Sequence, residues 1–286
     1  MNNDQLSESP ELSIIIVSYK NPTLLRLCIQ SLQKNILSKN YEIVVLDNAT
    51  EEDTEMIMRE EFPEIRFFPH SENLFYSKVV NEGIGKARGK YLLILNGDII
   101  IERKSVDILL EYIKKNADVG LVGPRLLNFD GSPQNSCFKF YTPTIILYRR
   151  TPIGKFLFAR KKINEFLLKN RNLEKPLEVD WIMGSALMTS RKILEKVGSM
   201  DELYLYYFED VDWCRRIWEN GYKVVYYPYA KMFHYHGKQS ASVNPLKAVL
   251  LNKLAREHIK SAIKYFWKYR GKANPHIENT NHGHGK

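Results

Sequence analysis

The chain alternates short runs of continuous apolar residues with stretches in which apolar residues recur at helical spacing. The first run, Ile14-Ile15-Ile16-Val17, is followed by the polar loop Ser18-Tyr19-Lys20-Asn21-Pro22 and by helically spaced Leu24, Leu25, Leu27, Cys28, Ile29 and Leu32. The unit recurs as Ile43-Val44-Val45-Leu46, the loop Asp47-Asn48-Ala49-Thr50, and a helix from about Glu51 to Glu60. A third run, Tyr91-Leu92-Leu93-Ile94-Leu95, leads through Asn96-Gly97-Asp98 to a helix near Lys104 to Lys115 and a strand over Val119 to Val122. Continuous apolar strands between amphipathic helices predict a doubly wound α/β half, with a mainly parallel sheet covered on both faces. In such sheets ligands bind beyond the carboxyl ends of the strands, which places Ser18, Tyr19, Asp47, Asn48, Asn96 and Asp98 on one rim.

From about Gly123 the pattern changes. Asp130-Gly131 marks a turn, a basic segment follows at about 145–175, and then come the run Trp181 to Met188 and the acidic-aromatic run Tyr204 to Trp213. A helix is expected from Glu209 or Asp210 to Asn220, with Gly221 as its stop. Val224 to Tyr227 reads as a strand leading to Phe233-His234-Tyr235-His236-Gly237. The expected organisation is a tail at 1–11, one domain over 12–240 with halves meeting near 122, a basic amphipathic segment at 241–272, and a tail at 273–286. In that last tail His276, His282 and His284 are expected to hang in solvent.

Composition narrows the class. The 286 residues are 44% hydrophobic and 26% charged, which suits one large globular domain with appendages. No apolar run approaches the ~18–20 residues that span a bilayer and the polar start lacks the parts of a signal peptide, so a cytoplasmic location is expected. Cys28, Cys137 and Cys214 are far apart and match no zinc spacing, so they read as small structural residues.

The formal charge of +9 is concentrated. Ile145–Lys175 and Pro245–Lys272 each carry a net +7, which leaves −5 for the remainder. Both segments interleave charge with apolar bulk: Ile153, Phe156, Leu157, Phe158, Ile163, Phe166 and Leu167 in the first, Leu246, Val249, Leu250, Leu254, Ile259, Ile263, Phe266 and Trp267 in the second. The pattern fits a helix on an anionic membrane surface, with packing on the chain's own domain as the alternative; nucleic acid fits it least.

The loop after the first strand holds no glycine, which excludes a dinucleotide fingerprint or P-loop there. Asp98 follows a buried strand, where a divalent cation could bridge it to a diphosphate, although Asn-Gly-Asp also makes an ordinary turn. Glu209, Asp210 and Asp212 stand among aromatic residues at a helix start, where an ionised carboxylate suits a general base. The alternatives are a helix cap and, for Asp212, pairing with Arg215 or Arg216. His234 is either structural or a second metal ligand if its strand end meets Asp98.

Taken in order, these pieces resemble the family 2 glycosyltransferases, particularly the bacterial rhamnosyltransferase-like branch, which have the GT-A nucleotide-sugar fold. The pieces are Ser13 to Tyr19, Val45-Leu46-Asp47-Asn48, Asn73 with Asn81 and Gly83, Leu95-Asn96-Gly97-Asp98, Val122-Gly123-Pro124, Asp180-Trp181 with Gly184, Phe208 to Asp212, and His234 with Gly237. The resemblance implies that Val17, Ser18, Tyr19, Asp47, Asn73, Asn96 and Gly97 hold the nucleotide. It makes Asp98 the last residue of the family's Asp-x-Asp metal motif, with Asn96 at its first position and His234 as a second ligand for Mg²⁺ or Mn²⁺. Asp210 resembles the catalytic base, supported by Glu209 and Asp212, and Trp181 with Gly184 borders the acceptor pocket. In one departure the family's Asn-x-Gly-Phe is Asn73-Leu74-Phe75-Tyr76, with phenylalanine in the glycine's place.

The expected activity is inverting transfer of rhamnose or another hexose from a dTDP- or UDP-linked donor to a hydroxyl of a bacterial surface glycan or lipid-linked precursor. The expected place is the inner face of the cell membrane. A sugar nucleotidyltransferase would instead carry a glycine- and arginine-rich loop after the first strand, and a non-catalytic binding module would not need Asp98 and Asp210 together.

Overall fold

The structure, a computed structural model, describes residues 9–235 and 253–277. Its first half follows the strand-helix rhythm of the sequence: β1 (Leu12–Ser18), α1 (Pro22–Asn35), β2 (Tyr41–Asp47), α2 (Glu52–Glu61), β3 (Arg66–Pro69), α3 (Tyr76–Lys86) and β4 (Tyr91–Asn96). Asn21 caps α1 by accepting from the Leu24 amide at 3.1 Å, and Pro22 supplies the preset first turn. Successive β1 residues serve opposite faces. Ile15 and Val17 pack with Val79 and Val80 of α3, while Ile14 and Ile16 pack with Leu25 and Ile29 of α1, so the strand is apolar without a break. Gly83 lets α3 lie close to the sheet, since a Cβ there would sit 2.4 Å from Ile15 Cγ2.

The second half comprises β5 (Ile99–Ile101), α4 (Ser105–Lys115), β6 (Val119–Leu127), β7 (Cys137–Phe138), α5 (Pro143–Arg150), α6 (Leu157–Phe166), β8 (Leu177–Glu178), β9 (Trp181–Ile182) and β10 (Ala186–Ser190). It continues with α7 (Arg191–Val197), α8 (Glu209–Glu219), β11 (Lys223–His234) and α9 (Lys253–Lys268). The main sheet runs β3-β2-β1-β4-β10-β6-β11-β5, with β8 on β11. The first four strands are parallel, as expected. Beyond them the sheet is mixed, because β10 returns antiparallel to both β4 and β6 and β11 is antiparallel to β5. The chain re-enters the sheet after a long excursion instead of through a crossover helix, and that route imposes no parallel direction. Strand β6 also runs to Leu127, beyond the expected Val122, because β11 pairs with it along that length.

The basic insertion folds as α5 and α6, burying Ile145, Ala159 and Phe166 and turning its charges outward. The C-terminal segment is not a separate appendage. Helix α9 buries Ala262, Tyr265 and Tyr269 in the same core as α8. Beyond it His276 stacks on Trp218 with ring centroids 4.1 Å apart, and its Nδ1 lies 2.6 Å from Asp180 Oδ1. His276 is therefore docked, correcting the expectation of a solvated tail. Gly237, Leu246, Val249, Leu250, His282 and His284 lie outside the described residues. The three cysteines are buried free thiols. Among the described residues no helix is long and apolar enough to cross a membrane.

Candidate active site

The carboxyl ends of β1, β2 and β4 are tied together by main-chain bonds: the Asn48 amide donates to Ser18 O at 2.9 Å and the Gly97 amide to Val17 O at 2.8 Å. They border a cleft of about 430 Å³. Val17, Ser18, Tyr19, Asn48, Asn73, Asn96, Gly97, Asp98 and His234, which the sequence put at the site or on its rim, line it, joined by Asn21, Tyr76, Tyr206 and Tyr235, which sequence reasoning did not assign to the site. Tyr206 fell within a run already noted, and Asn21 within the loop after the first strand.

Asp47 is placed differently. It is fully buried at the end of β2, does not border the cleft, and neither carboxylate oxygen has a hydrogen-bond partner among the described residues. Burial raises its pKa. Its neighbour Asn48 faces the ligand space. The Asn48 side chain donates to Asn73 Oδ1 at 2.8 Å and accepts from the Leu74 amide at 2.7 Å.

At the far side of the cleft His234 Nε2 lies 3.6 Å from Asp98 Oδ1, an oxygen without a hydrogen-bond partner among the described residues. Gln134 sets the ring's tautomer. Its Nε2 donates to His234 O at 2.9 Å and to Asn128 Oδ1 at 2.8 Å, so its Oε1, 2.9 Å from His234 Nδ1, accepts the ring proton. The Nε2 lone pair then faces the carboxylate, and a lone pair and an anionic oxygen at this separation fit a shared cation. Burial holds the Asp98 carboxyl up to about 6, a shift that a cation would reverse. The Asn96 amide oxygen is also buried without a partner among the described residues. Among the described residues no group of three or more His, Cys, Asp or Glu could hold a metal, and Asp98 with His234 is the pair there that could hold a cation.

The acidic corner depends on an unusual turn. Tyr207 (φ 62) and Phe208 (φ 73) are consecutive left-handed residues, and the Phe208 ring is held against Tyr141, Tyr265 and His258. The turn starts α8 at Glu209-Asp210. Asp210 Oδ2 accepts from the Gly184 amide at 3.0 Å and Oδ1 from the Val211 amide at 2.8 Å. Gly184 O in turn accepts from the Tyr76 hydroxyl at 2.6 Å, which links the carboxylate to a cleft-lining ring. Glu209 is buried and its Oε2 has no hydrogen-bond partner among the described residues. Burial raises both carboxyls, and the two amides oppose the rise at Asp210. The pair therefore keeps its proton on Glu209 and its charge on Asp210.

Glu209, Asp210 and Gly184 do not themselves line the cleft, and two further expected site residues lie elsewhere. Asp212 is fully buried on another face of α8, bound by Arg216 Nε at 2.8 Å, Lys268 Nζ at 2.7 Å and the Tyr269 hydroxyl at 2.7 Å. It anchors α9 and does not support Asp210. Trp181 is buried beneath Phe138 and Tyr141, and its indole N–H donates to Lys139 O at 2.8 Å, away from the cleft lining.

A parallel half-sheet with a polar cleft at its carboxyl rim, linked through Tyr76 and Gly184 to an acidic helix start, defines a nucleotide-sugar glycosyltransferase of the GT-A type. The chain matches the family model described as Glycosyl transferase family 2 over residues 13–198, and it belongs to that family. It is 27% identical over 214 residues to the N-acetylglucosaminyl-diphospho-decaprenol L-rhamnosyltransferase of Mycobacterium tuberculosis, covering 71% of this chain and 69% of that protein. It is 25% identical over 276 residues to rhamnosyltransferase WbbL of Escherichia coli, covering 93% and 96%. The fold is similar to that in the crystal structure of GalNAc-T7 with UDP, GalNAc and Mn2+, with a TM-score of 0.58 and 17% identity, over 85% of this chain and 48% of that one.

Proposed function

We propose that the chain is an inverting, metal-dependent hexosyltransferase that moves rhamnose or another hexose from a dTDP- or UDP-linked donor to a hydroxyl of a surface-glycan or lipid-linked precursor. We place it at the inner face of the cell membrane, in contact with anionic lipid. The observation that carries the reading is Asp210, a carboxylate held by two main-chain amides and linked through Gly184 and Tyr76 to the cleft that holds Asp98 and His234. The two rhamnosyltransferase relatives support the donor and acceptor classes.

In this reading Val17, Ser18, Tyr19, Asn48 and Asn73 bind and orient the nucleotide, and Asp47 shapes the rim from beneath. Asp98 and His234 would hold Mg²⁺ or Mn²⁺, which supplies positive charge against the departing diphosphate. Asp210 takes the proton of the acceptor hydroxyl as that oxygen attacks the anomeric carbon opposite the leaving diphosphate, and a single displacement inverts the centre. Glu209, by keeping its proton, leaves Asp210 the only charged carboxylate of the pair.

Asp210→Asn keeps the size and one of the two main-chain amide bonds but removes the base. Donor-diphosphate binding should stay near wild type while turnover falls by ~10²–10⁴. Turnover within a few-fold of wild type would place the base elsewhere. A thermal-shift panel of dTDP, UDP and GDP with Mn²⁺ identifies the nucleotide, with ~2.7 kcal/mol of added stability at ~100 times Kd.

A further inference from the structure

Two groups of large apolar side chains face solvent, on elements that touch. On α9, Ile259, Ile263 and Trp267 recur every fourth residue on the side opposite buried Ala262, Tyr265 and Tyr269, and Ile263 is 63% and Trp267 69% exposed. Phe266, by contrast, is partly buried against the core, so the outward stripe is not the pair at 266 and 267 that the sequence suggested. At the α5–α6 turn Phe156, Leu157 and Phe158 project outward, Leu157 with 83% exposure. The elements that carry them touch where Arg150 Nη2, at the end of α5, lies 3.2 Å from His258 Nδ1 on α9. Burial, helped by Arg150 and Arg149, pushes His258 down to about 4, so the ring is neutral and accepts.

Exposed Lys155, Arg160 and Lys161 surround the first group, and Arg256, Lys260 and Arg270 the second. The Arg270 guanidinium stands 4.7 Å from the Trp267 ring. The nearby acidic residues Glu165 and Glu257 pair with Lys162 and Lys260. Clustered apolar side chains of this size on a soluble surface mark an interaction site, and the basic surround requires an anionic partner. A second copy of this chain would set one basic rim against another.

We propose that the outer face of α9 and the α5–α6 turn form one docking surface for an anionic phospholipid bilayer. It deepens, and rests on, the reading that the acceptor is membrane-held. The surface also touches the catalytic corner: Tyr207 stacks on His258 at 4.2 Å, two residues before Glu209, and Lys264 Nζ donates to Leu203 O at 2.9 Å in the same loop. An acceptor anchored in the bilayer would thus present its head group beside the loop that aims Asp210.

The test is flotation of the full chain with phosphatidylcholine vesicles, with and without phosphatidylglycerol, over a salt series. Binding should need phosphatidylglycerol, weaken with salt, and keep a salt-resistant part from the inserted apolar side chains. The pairs Leu157→Ser with Phe158→Ser, and Ile263→Ser with Trp267→Ser, should each lower vesicle affinity at least about tenfold, with melting temperature unchanged. Lys161→Glu with Lys260→Glu should lower binding at low salt and matter little at high salt. Wild-type binding by both serine pairs would overturn the proposal, as would a wild-type chain that binds neither vesicle. So would a dimer in sedimentation that the Ile263/Trp267 pair disrupts while vesicle binding persists. Diphosphate binding with Mn²⁺, followed by thermal shift in the same samples, separates the two readings: its loss with vesicle binding retained counts against the transferase assignment alone.

Discussion

Phe75 occupies a backbone conformation, φ 68 and ψ 158, that is essentially reserved for glycine. It stands where the family motif has glycine, so the departure visible in the sequence is also a strained residue. Two asparagines over-determine the strain: Asn73 Oδ1 accepts from the Phe75 amide at 2.8 Å and Asn48 Oδ1 from the Leu74 amide at 2.7 Å. The ring lies edge-on to Tyr206 with centroids 5.2 Å apart, bracing a wall of the cleft. The conformation costs about 1–3 kcal/mol and the aromatic pair returns about 0.5–1.5 kcal/mol. Phe75→Gly should therefore be more stable than Phe75→Ala by ~1–2 kcal/mol in urea unfolding, the strain adding to glycine's ordinary advantage over alanine at a helix N-cap. Equal stabilities would show that no strain is held there. At this scale legibility was uneven. Asp98 and Asp210 stood out by type and position, but Gln134 carried no signal, since its partner His234 is 100 residues away.

Helix α9 was legible as an amphipathic basic helix, yet its two faces were not assignable. Any helix with apolar residues every three or four positions has a face to bury, and only the neighbouring element says against what. Here the neighbour is α8, which offers Asp212, a fully buried carboxylate, to Lys268 and Tyr269. Tyr269→Phe removes one donor to a buried charge and should destabilise the protein by about 1.5–3 kcal/mol in urea unfolding, with diphosphate binding retained. An unchanged midpoint would mean that α9 docks too weakly to contribute. The same contacts argue against a core that folds independently of α9, because its removal would leave Asp212 with Arg216 as the remaining partner of the three.

For the whole molecule, pH dependence follows from the Glu209–Asp210 pair. Both carboxyls titrate higher folded than unfolded because burial disfavours their charge. The folded state then holds protons that the unfolded state has already released, so this contribution to stability is complete at acid pH. It declines as pH rises from the ordinary carboxylate range near ~4 upward through the raised values. Glu209→Gln carries no titrating proton and should flatten that decline, read as a smaller loss of urea midpoint between acid and mildly alkaline buffers. Catalysis runs the other way: the base must be charged, so kcat/KM should fall as pH drops through the raised Asp210 value. A Glu209→Gln stability profile identical to wild type would mean the pair is solvated.

The amino-acid sequence alone determined the parallel half-sheet, because runs apolar on both faces between amphipathic helices have no other low-energy burial. It also determined the rim, because the loops after β1, β2 and β4 must emerge at the same edge. The order of motifs across the chain carried the family. Tertiary structure alone decided the antiparallel return of β10, the partners of α9, the left-handed turn at Tyr207-Phe208, and which carboxylate of the acidic run is linked through Gly184 and Tyr76 to the cleft. Each of these depends on contacts between residues distant along the chain: Asp210 reaches Gly184 while Asp212, half a turn on, reaches Tyr269. Residue type and local spacing are the same for both carboxylates, and only the surfaces packed around α8 give one of them a charge to use and the other a charge to neutralise.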